Sequence, residues 1–172
     1  IDLDHHKSHA YSAFLTSPFD SCLVLVFDAK GNNEDTESVY LAERSTLRKL
    51  ASNPIKKHTK GVVAAYQAFT AYFGWHQNSA GKTMGLASYG DPSKYSKWKI
   101  FEESEERMFY NVLENHQASG VEAFCQENDI EVPDKFLKDP NAYKDMAAWI
   151  QSEFERVLIM MVDRFQKETG TK

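Results

Sequence analysis

The chain has 172 residues, of which 42% are hydrophobic, enough for one domain with a core and hardly enough for two. A formal net charge of -5 and a pI near 5.7 give no basic footprint for nucleic acid or for an anionic membrane surface. Aromatic content of 13% and charged content of 26% exclude disordered and fibrous classes.

In chain order, Ile1 and Leu3 alternate with Asp2 and Asp4, the pattern of a strand end. Ser8 to Leu15 predicts a short helix stopped by Pro18. The aliphatic run "CLVLVF", Cys22 to Phe27, predicts a strand covered on both faces, and Asp28 follows it in the turn sequence "DAKGNNED". "SVYLAE", Ser38 to Glu43, is the partner strand of a hairpin. Lys56, Lys57 and Lys60 form a short charge run, expected to be a solvated loop. From Gly61 the period changes: Val62, Tyr66, Phe69, Tyr72 and Phe73 mark an amphipathic helix ending near Gly74.

"NSAGKTMGLASYGDP", Asn78 to Pro92, is rich in small residues and predicts a loop with at most one helical turn. Lys94 to Pro133 is expected to be helical. Asp139 and Pro140 then open a long helix with an apolar stripe from Ala147 to Phe165, up to Gly170 and about 45 Å long at about 1.5 Å per residue. Met160 and Met161 fit the core stripe of that helix rather than a binding surface. Cys22 and Cys125 lack metal-site or disulfide spacing and are expected to be buried, reduced thiols. The longest apolar run, Val157 to Val162, is far short of a membrane span, and no signal peptide is visible, so the expected location is the cytoplasm.

The chemistry concentrates in "DHHKSHAYSAF", Asp4 to Phe14. His5 and His9 are four apart, so a helix starting near His5 places both imidazoles on one face, a natural ligand pair for zinc, iron or another borderline metal. HxxxH also occurs as surface or core histidines, and on spacing alone both readings stay open. A zincin protease requires glutamate where this chain has His6, which removes that reading. Asp28 stands at the end of a strand, where it serves equally as a third ligand or as a turn-opening aspartate.

The blocks "DHHKSHAYSAFLTSPFDSCLVLVFDAKG", "AYQAFTAYFGW" and "GKTMGLASYGDP" resemble, in order and spacing, those of the O-carbamoyltransferases of the nodulation protein U, cephamycin and tobramycin type. The resemblance runs from Asp4 to about Pro92 and resumes in the last helix. It implies an α/β chain, part of an actin-like ATPase (ribonuclease H-like) domain with a small mixed sheet, flanking helices and a long C-terminal helix. It further implies that residues 1–172 are a single partial domain of a longer polypeptide and do not complete the reaction alone.

In such enzymes a separate YrdC-like domain makes carbamoyl-adenylate from carbamoyl phosphate and ATP, and the carbamoyl group then passes to a small-molecule hydroxyl. By motif position the resemblance makes His5, His9 and Asp28 ligands of a divalent metal, iron foremost, and puts Lys82, Gly81 and Gly85 at the nucleotide or carbamoyl site. The glycine spacing of a phosphate-binding P-loop is missing before "GKT". Two departures stand out: the family's DGxGE is "DAKGNNE" here, with Ala29 and Lys30, and its acidic residue before GK is Ala80. The alternatives are a non-catalytic nucleotide- and metal-binding module of the same fold, or a relative of the tRNA threonylcarbamoyl transferases. No nucleic-acid or membrane partner is expected, and an unpaired sheet edge invites self-association.

Overall fold

The computed structural model describes residues 4–32, 34–54, 61–104, 108–133 and 139–171. They form an α/β chain in two compact units, one comprising Ile1–Val63, Glu103–Tyr110 and Val157–Lys172, the other Ala64–Glu102 and Asn111–Arg156.

The first unit opens with α1 (His5–Leu15), whose start is set by Asp4: its Oδ1 accepts from the Lys7 backbone N–H at 2.7 Å. β1 (Ser21–Phe27), β2 (Asp35–Glu43) and β3 (Thr46–Pro54) make an antiparallel sheet in the order β1-β2-β3. β1 and β2 are the expected hairpin, with Val26 opposite Ser38 and Val24 opposite Tyr40. The strand covered on both faces is β2, buried from Asp35 to Ala42. Among the described residues β1 pairs with β2 alone; it buries Val24 and Val26 and leaves Leu23 and Leu25 half-exposed. Packing of α1 on the face that carries Val24 and Val26 accounts for this one-sided pattern. The sheet is antiparallel rather than mixed, because each connection between its strands is a short turn and parallel pairing needs a long crossover.

Ala10 and Phe14 of α1 pack against Val24, Val26, Tyr40 and Ala42 to form the core of this unit. Burial of a side chain such as Phe14 contributes about 1.5–3 kcal/mol. Ser8, Ser12 and Ala13, the other small residues of α1, face outward.

α2 (Val62–Tyr72) is the expected helix; of its expected stripe Val62 and Phe69 are buried and Tyr66 and Tyr72 half-buried, and Phe73 is buried just past its end. In the second unit Phe69 meets Trp149 edge-on at 5.5 Å, Tyr95 stacks on Trp149 at 5.4 Å, and Phe124 lies 6.3 Å from the same ring. Trp149 is 1% exposed and its indole N–H donates to the Trp98 carbonyl at 3.2 Å, so the polar edge of the largest core ring is satisfied.

Three regions depart from the sequence expectation. Residues Ala80–Ala87 are a helix, α3, rather than a loop. Its buried Thr83 and Leu86 supply the inner face, and Thr83 Oγ1 shares a 2.9 Å hydrogen bond with Thr70 Oγ1. The stretch expected to be helical holds two short paired strands, β4 (Phe101–Glu103) and β5 (Phe109–Asn111), before α4 (Ala118–Glu127). The last helix starts with a 3₁₀ turn, Pro140–Tyr143, capped by Asp139, and continues as α5 (Lys144–Thr169), 26 residues or about 39 Å. Met161 lies in its buried stripe, whereas Met160 is half-buried.

Cys22 and Cys125 are free thiols, and Cys22 is only half-buried. Burial pushes both up, Cys125 to about 11 with Glu122 adding to the effect, which leaves both as neutral thiols. No described helix is long and apolar enough to cross a membrane. The strand end expected at Ile1–Leu3 and the Lys56, Lys57 and Lys60 loop lie outside the described residues.

Candidate metal centre

α1 starts at His5, so the i, i+4 relation brings the rings of His5 and His9 edge to face with centroids 4.6 Å apart. Asp28 arrives from the end of β1, where its backbone N–H donates to the Thr36 carbonyl at 2.8 Å and starts the turn. His5 Nε2 lies 2.6 Å from Asp28 Oδ2, His9 Nε2 lies 3.2 Å from His5 Nε2, and His9 Nε2 lies 3.7 Å from Asp28 Oδ2. Among the described residues these three form a cluster able to hold a metal ion, with ligand atoms within 4.8 Å of one another.

The donor set fits a borderline divalent metal. Ligands about 2.0–2.2 Å from one ion stand about 3.0–3.5 Å apart, so the 3.2 Å separation already suits such an ion, while the 2.6 Å one must open and the 3.7 Å one close by a few tenths of an ångström. Two nitrogens and one carboxylate oxygen exclude a soft thiolate site and leave positions free for water or substrate. The side chains of His5 and His9 are 44% and 57% exposed, consistent with an open rather than a sealed site.

Burial raises the Asp28 carboxyl, but the contact with His5 and the 2.6 Å hydrogen bond from the Ala29 N–H outweigh it and hold the group below its ordinary value. Asp28 is therefore a carboxylate, the form a metal requires. An open cleft of about 430 Å³ is lined by His9, Ala13 and Asp28 together with Val24 to Phe27 of β1.

The other predicted residues, Gly81, Lys82 and Gly85, stand on α3 in the second unit. All three are exposed, the two glycines have open space where a side chain would be, and Lys82 Nζ lies 5.9 Å from the centre of the Trp75 ring. Ser79 precedes α3 without a side-chain cap, so the first backbone N–H groups of the helix take no hydroxyl partner from it.

Sequence reasoning missed three residues behind the histidines. His6 is 1% exposed and its Nδ1 lies 2.8 Å from Ser38 Oγ. Gly31 packs against the same ring. The available signal was positional: His6, Ala10 and Phe14 recur every four residues on the face of α1 opposed to solvent. Burial lowers the His6 imidazole below its usual value against the opposing pull of Asp35 and Asp28, so it is a neutral ring.

The family model described as Carbamoyltransferase N-terminus matches residues 2–172. The chain is 31% identical over 178 residues to the nodulation protein NolNO of Sinorhizobium fredii (strain NBRC 101917 / NGR234), a match covering 99% of this chain and 24% of that protein. It is 28% identical over 176 residues to the nodulation protein NolO of Bradyrhizobium diazoefficiens, covering 98% of this chain and 29% of the relative. An uncharacterized protein of Synechocystis sp. is 41% identical over 90 residues, 52% of this chain and 14% of its own length. The chain thus spans about a quarter of the length of the two nodulation proteins it matches.

Proposed function

Since the chain belongs to the carbamoyltransferase N-terminus family, we propose that it is the metal-holding part of an O-carbamoyltransferase with an actin-like fold. In this reading the remainder of a longer polypeptide, including a YrdC-like domain, forms carbamoyl-adenylate from carbamoyl phosphate and ATP. The acceptor is a small-molecule hydroxyl: its oxygen attacks the carbamoyl carbon, the bond to the adenylate phosphate breaks, and AMP leaves as the hydroxyl proton passes to a base. The observation that carries the proposal is the convergence of His5 and His9 from one helix with Asp28 from the end of a strand, with His9 and Asp28 lining an open cleft.

His5, His9 and Asp28 would hold a divalent ion, with iron the favoured candidate. Such an ion supplies polarisation of a phosphate or carbamoyl oxygen when bound. Two neutral imidazoles and one carboxylate leave a dication with net positive charge, which suits an anionic nucleotide. In the second unit, taken by itself, Lys82 would offer an ammonium to an anionic group, and the bare faces of Gly81 and Gly85 would let a phosphate or carbamoyl group come close to α3. The protein is proposed to work in the cytoplasm.

Ala29, Lys30 and Ala80, where the family carries other residues, favour a second reading: a nucleotide- and metal-binding module without turnover. Pyrophosphate release from ATP by the full-length protein, with and without carbamoyl phosphate, separates the two. Release that depends on carbamoyl phosphate supports the transferase; metal-loaded, folded protein that releases none supports the binding module.

A further inference from the structure

The two candidate ligands on α1 are exposed, so their own packing does not aim them. Their direction is inherited from the backbone of the first turn of α1, and that turn is fixed from beneath. Ala10 and Phe14 hold the helix through apolar contacts, which tolerate sliding and rotation. His6 is the polar member of the same buried stripe, and its hydrogen bond to Ser38 is directional.

Ser38 pairs across the ladder with Val26, two residues before Asp28. On the other side, the turn that follows Asp28 is closed by Gly31 N–H donating to the Asp35 carbonyl at 2.7 Å and Glu34 N–H donating to the Gly31 carbonyl at 3.1 Å. This turn brings Gly31 against the imidazole so tightly that a Cβ there would lie 2.8 Å from His6 Cδ2 and 2.9 Å from His6 Nε2. The same ring therefore touches the strand paired with the one that delivers Asp28 and the turn that follows Asp28, while its backbone lies between the two histidine ligands.

We propose that His6 is the positioning residue of the metal centre, locking the first turn of α1 against Ser38 and Gly31 so that His5 and His9 meet Asp28. This rests on the reading of His5, His9 and Asp28 as ligands. The requirement for glycine at position 31 follows from it, since any side chain displaces the ring. Groups that orient ligands from behind typically change metal affinity by about 10–100-fold when removed.

The test uses Co²⁺ as probe, with affinity from titration and geometry from the visible ligand-field spectrum. Ser38→Ala removes one oxygen and His6→Phe keeps a ring without the hydrogen bond; both are expected to weaken Co²⁺ binding about 10–100-fold and to alter the spectrum. His6→Asn, whose amide can take the place of Nδ1, is expected to retain most of the affinity. Phe14→Leu, which loosens the same helix without touching His6, is the control and should leave the spectrum unchanged. Should His6→Phe not fold, Ser38→Ala decides. Wild-type affinity and spectrum in a folded Ser38→Ala overturn the positioning role while leaving the metal reading intact. Wild-type protein that binds no Co²⁺, or binding that survives His9→Ala, overturns the metal reading and the positioning role with it.

Discussion

Glu37 Oε1 accepts the backbone N–H of Val62 at 2.8 Å, so a carboxyl group with no solvent exposure holds the first residue of α2. Thr36 Oγ1 donates to its other oxygen at 2.5 Å and Asn53 Nδ2 at 3.3 Å. Burial wins over these three hydrogen bonds and raises the group from 4.5 to about 7.

The folded chain therefore keeps a proton that the unfolded chain releases. The contribution of Glu37 to stability is full below about pH 4.5 and falls as pH rises to about 7, by about 3 kcal/mol in all. His6, held below its usual value, changes stability in the opposite sense over its own range. The measurement is therefore a comparison: urea unfolding of wild type and Glu37→Gln at about pH 5 and about pH 8. The stability difference between the two proteins should shift in favour of Glu37→Gln at the higher pH; a pH-independent difference would show that Glu37 keeps its ordinary value.

Gly61→Ala tests the same cluster by volume. A Cβ at this position would fall 1.9 Å from Glu37 Oε1 and 2.6 Å from Thr36 Oγ1, both in buried side chains. Overpacking of this kind costs about 1–3 kcal/mol, and the expected loss lies at the upper end. Unfolding in urea with no loss of midpoint would contradict it.

In the second unit, buried Glu153 accepts from Arg156 Nε at 2.7 Å, Arg156 Nη2 at 2.8 Å and the Ile100 N–H at 2.9 Å. Burial raises this carboxyl, but these partners outweigh it and hold it below its ordinary value. Its stabilisation is complete above about pH 4.5 and is lost as pH falls through the lowered value. Glu153→Gln puts an amide N–H₂ among donors and should cost about 3 kcal/mol, by analogy with other broken buried pairs. Thermal unfolding at neutral pH checks the cost. Equal melting temperatures would show that the pair contributes nothing.

The contrast between Glu37 and His5 shows what the sequence makes legible. A helical spacing puts His5 and His9 on one face and a strand end delivers Asp28, which local backbone periods make legible, but the ligand reading stays open until the resemblance to the carbamoyltransferase blocks singles the three out. Glu37, His6 and Asn53 are polar letters that read as surface, and only pairing with distant strands buries them. β3 escaped notice for a related reason: "TLRKLASNP" lacks clean alternation, and it is a strand because β2 offers it a ladder. α3 was obscured by Gly81 and Gly85, each of which disfavours a helix by about 0.5–1 kcal/mol relative to Ala, a deficit that the buried contacts of Thr83 and Leu86 offset. β4 and β5, three residues each, are too short to carry a period.

Asp28→Asn separates fold from site. The exposed His5 to Asp28 pair contributes at most about 1 kcal/mol to stability, so the metal-free variant should melt close to wild type. A divalent metal at 100-fold above its dissociation constant adds about 2.7 kcal/mol to wild type and should add little to the variant. Melting curves with and without Co²⁺ check both halves; an equal metal-dependent rise in the two proteins would remove Asp28 from the ligand set.

The most direct test of the centre is the metal content of purified protein, prepared without oxygen and analysed for all divalent metals, in wild type and in the His5→Ala, His9→Ala double variant. The expected result is about one equivalent per chain in wild type and none in the folded double variant, since both lost nitrogens belong to a three-ligand set. Equal metal content in the two proteins would contradict the assignment of His5, His9 and Asp28 as the metal centre.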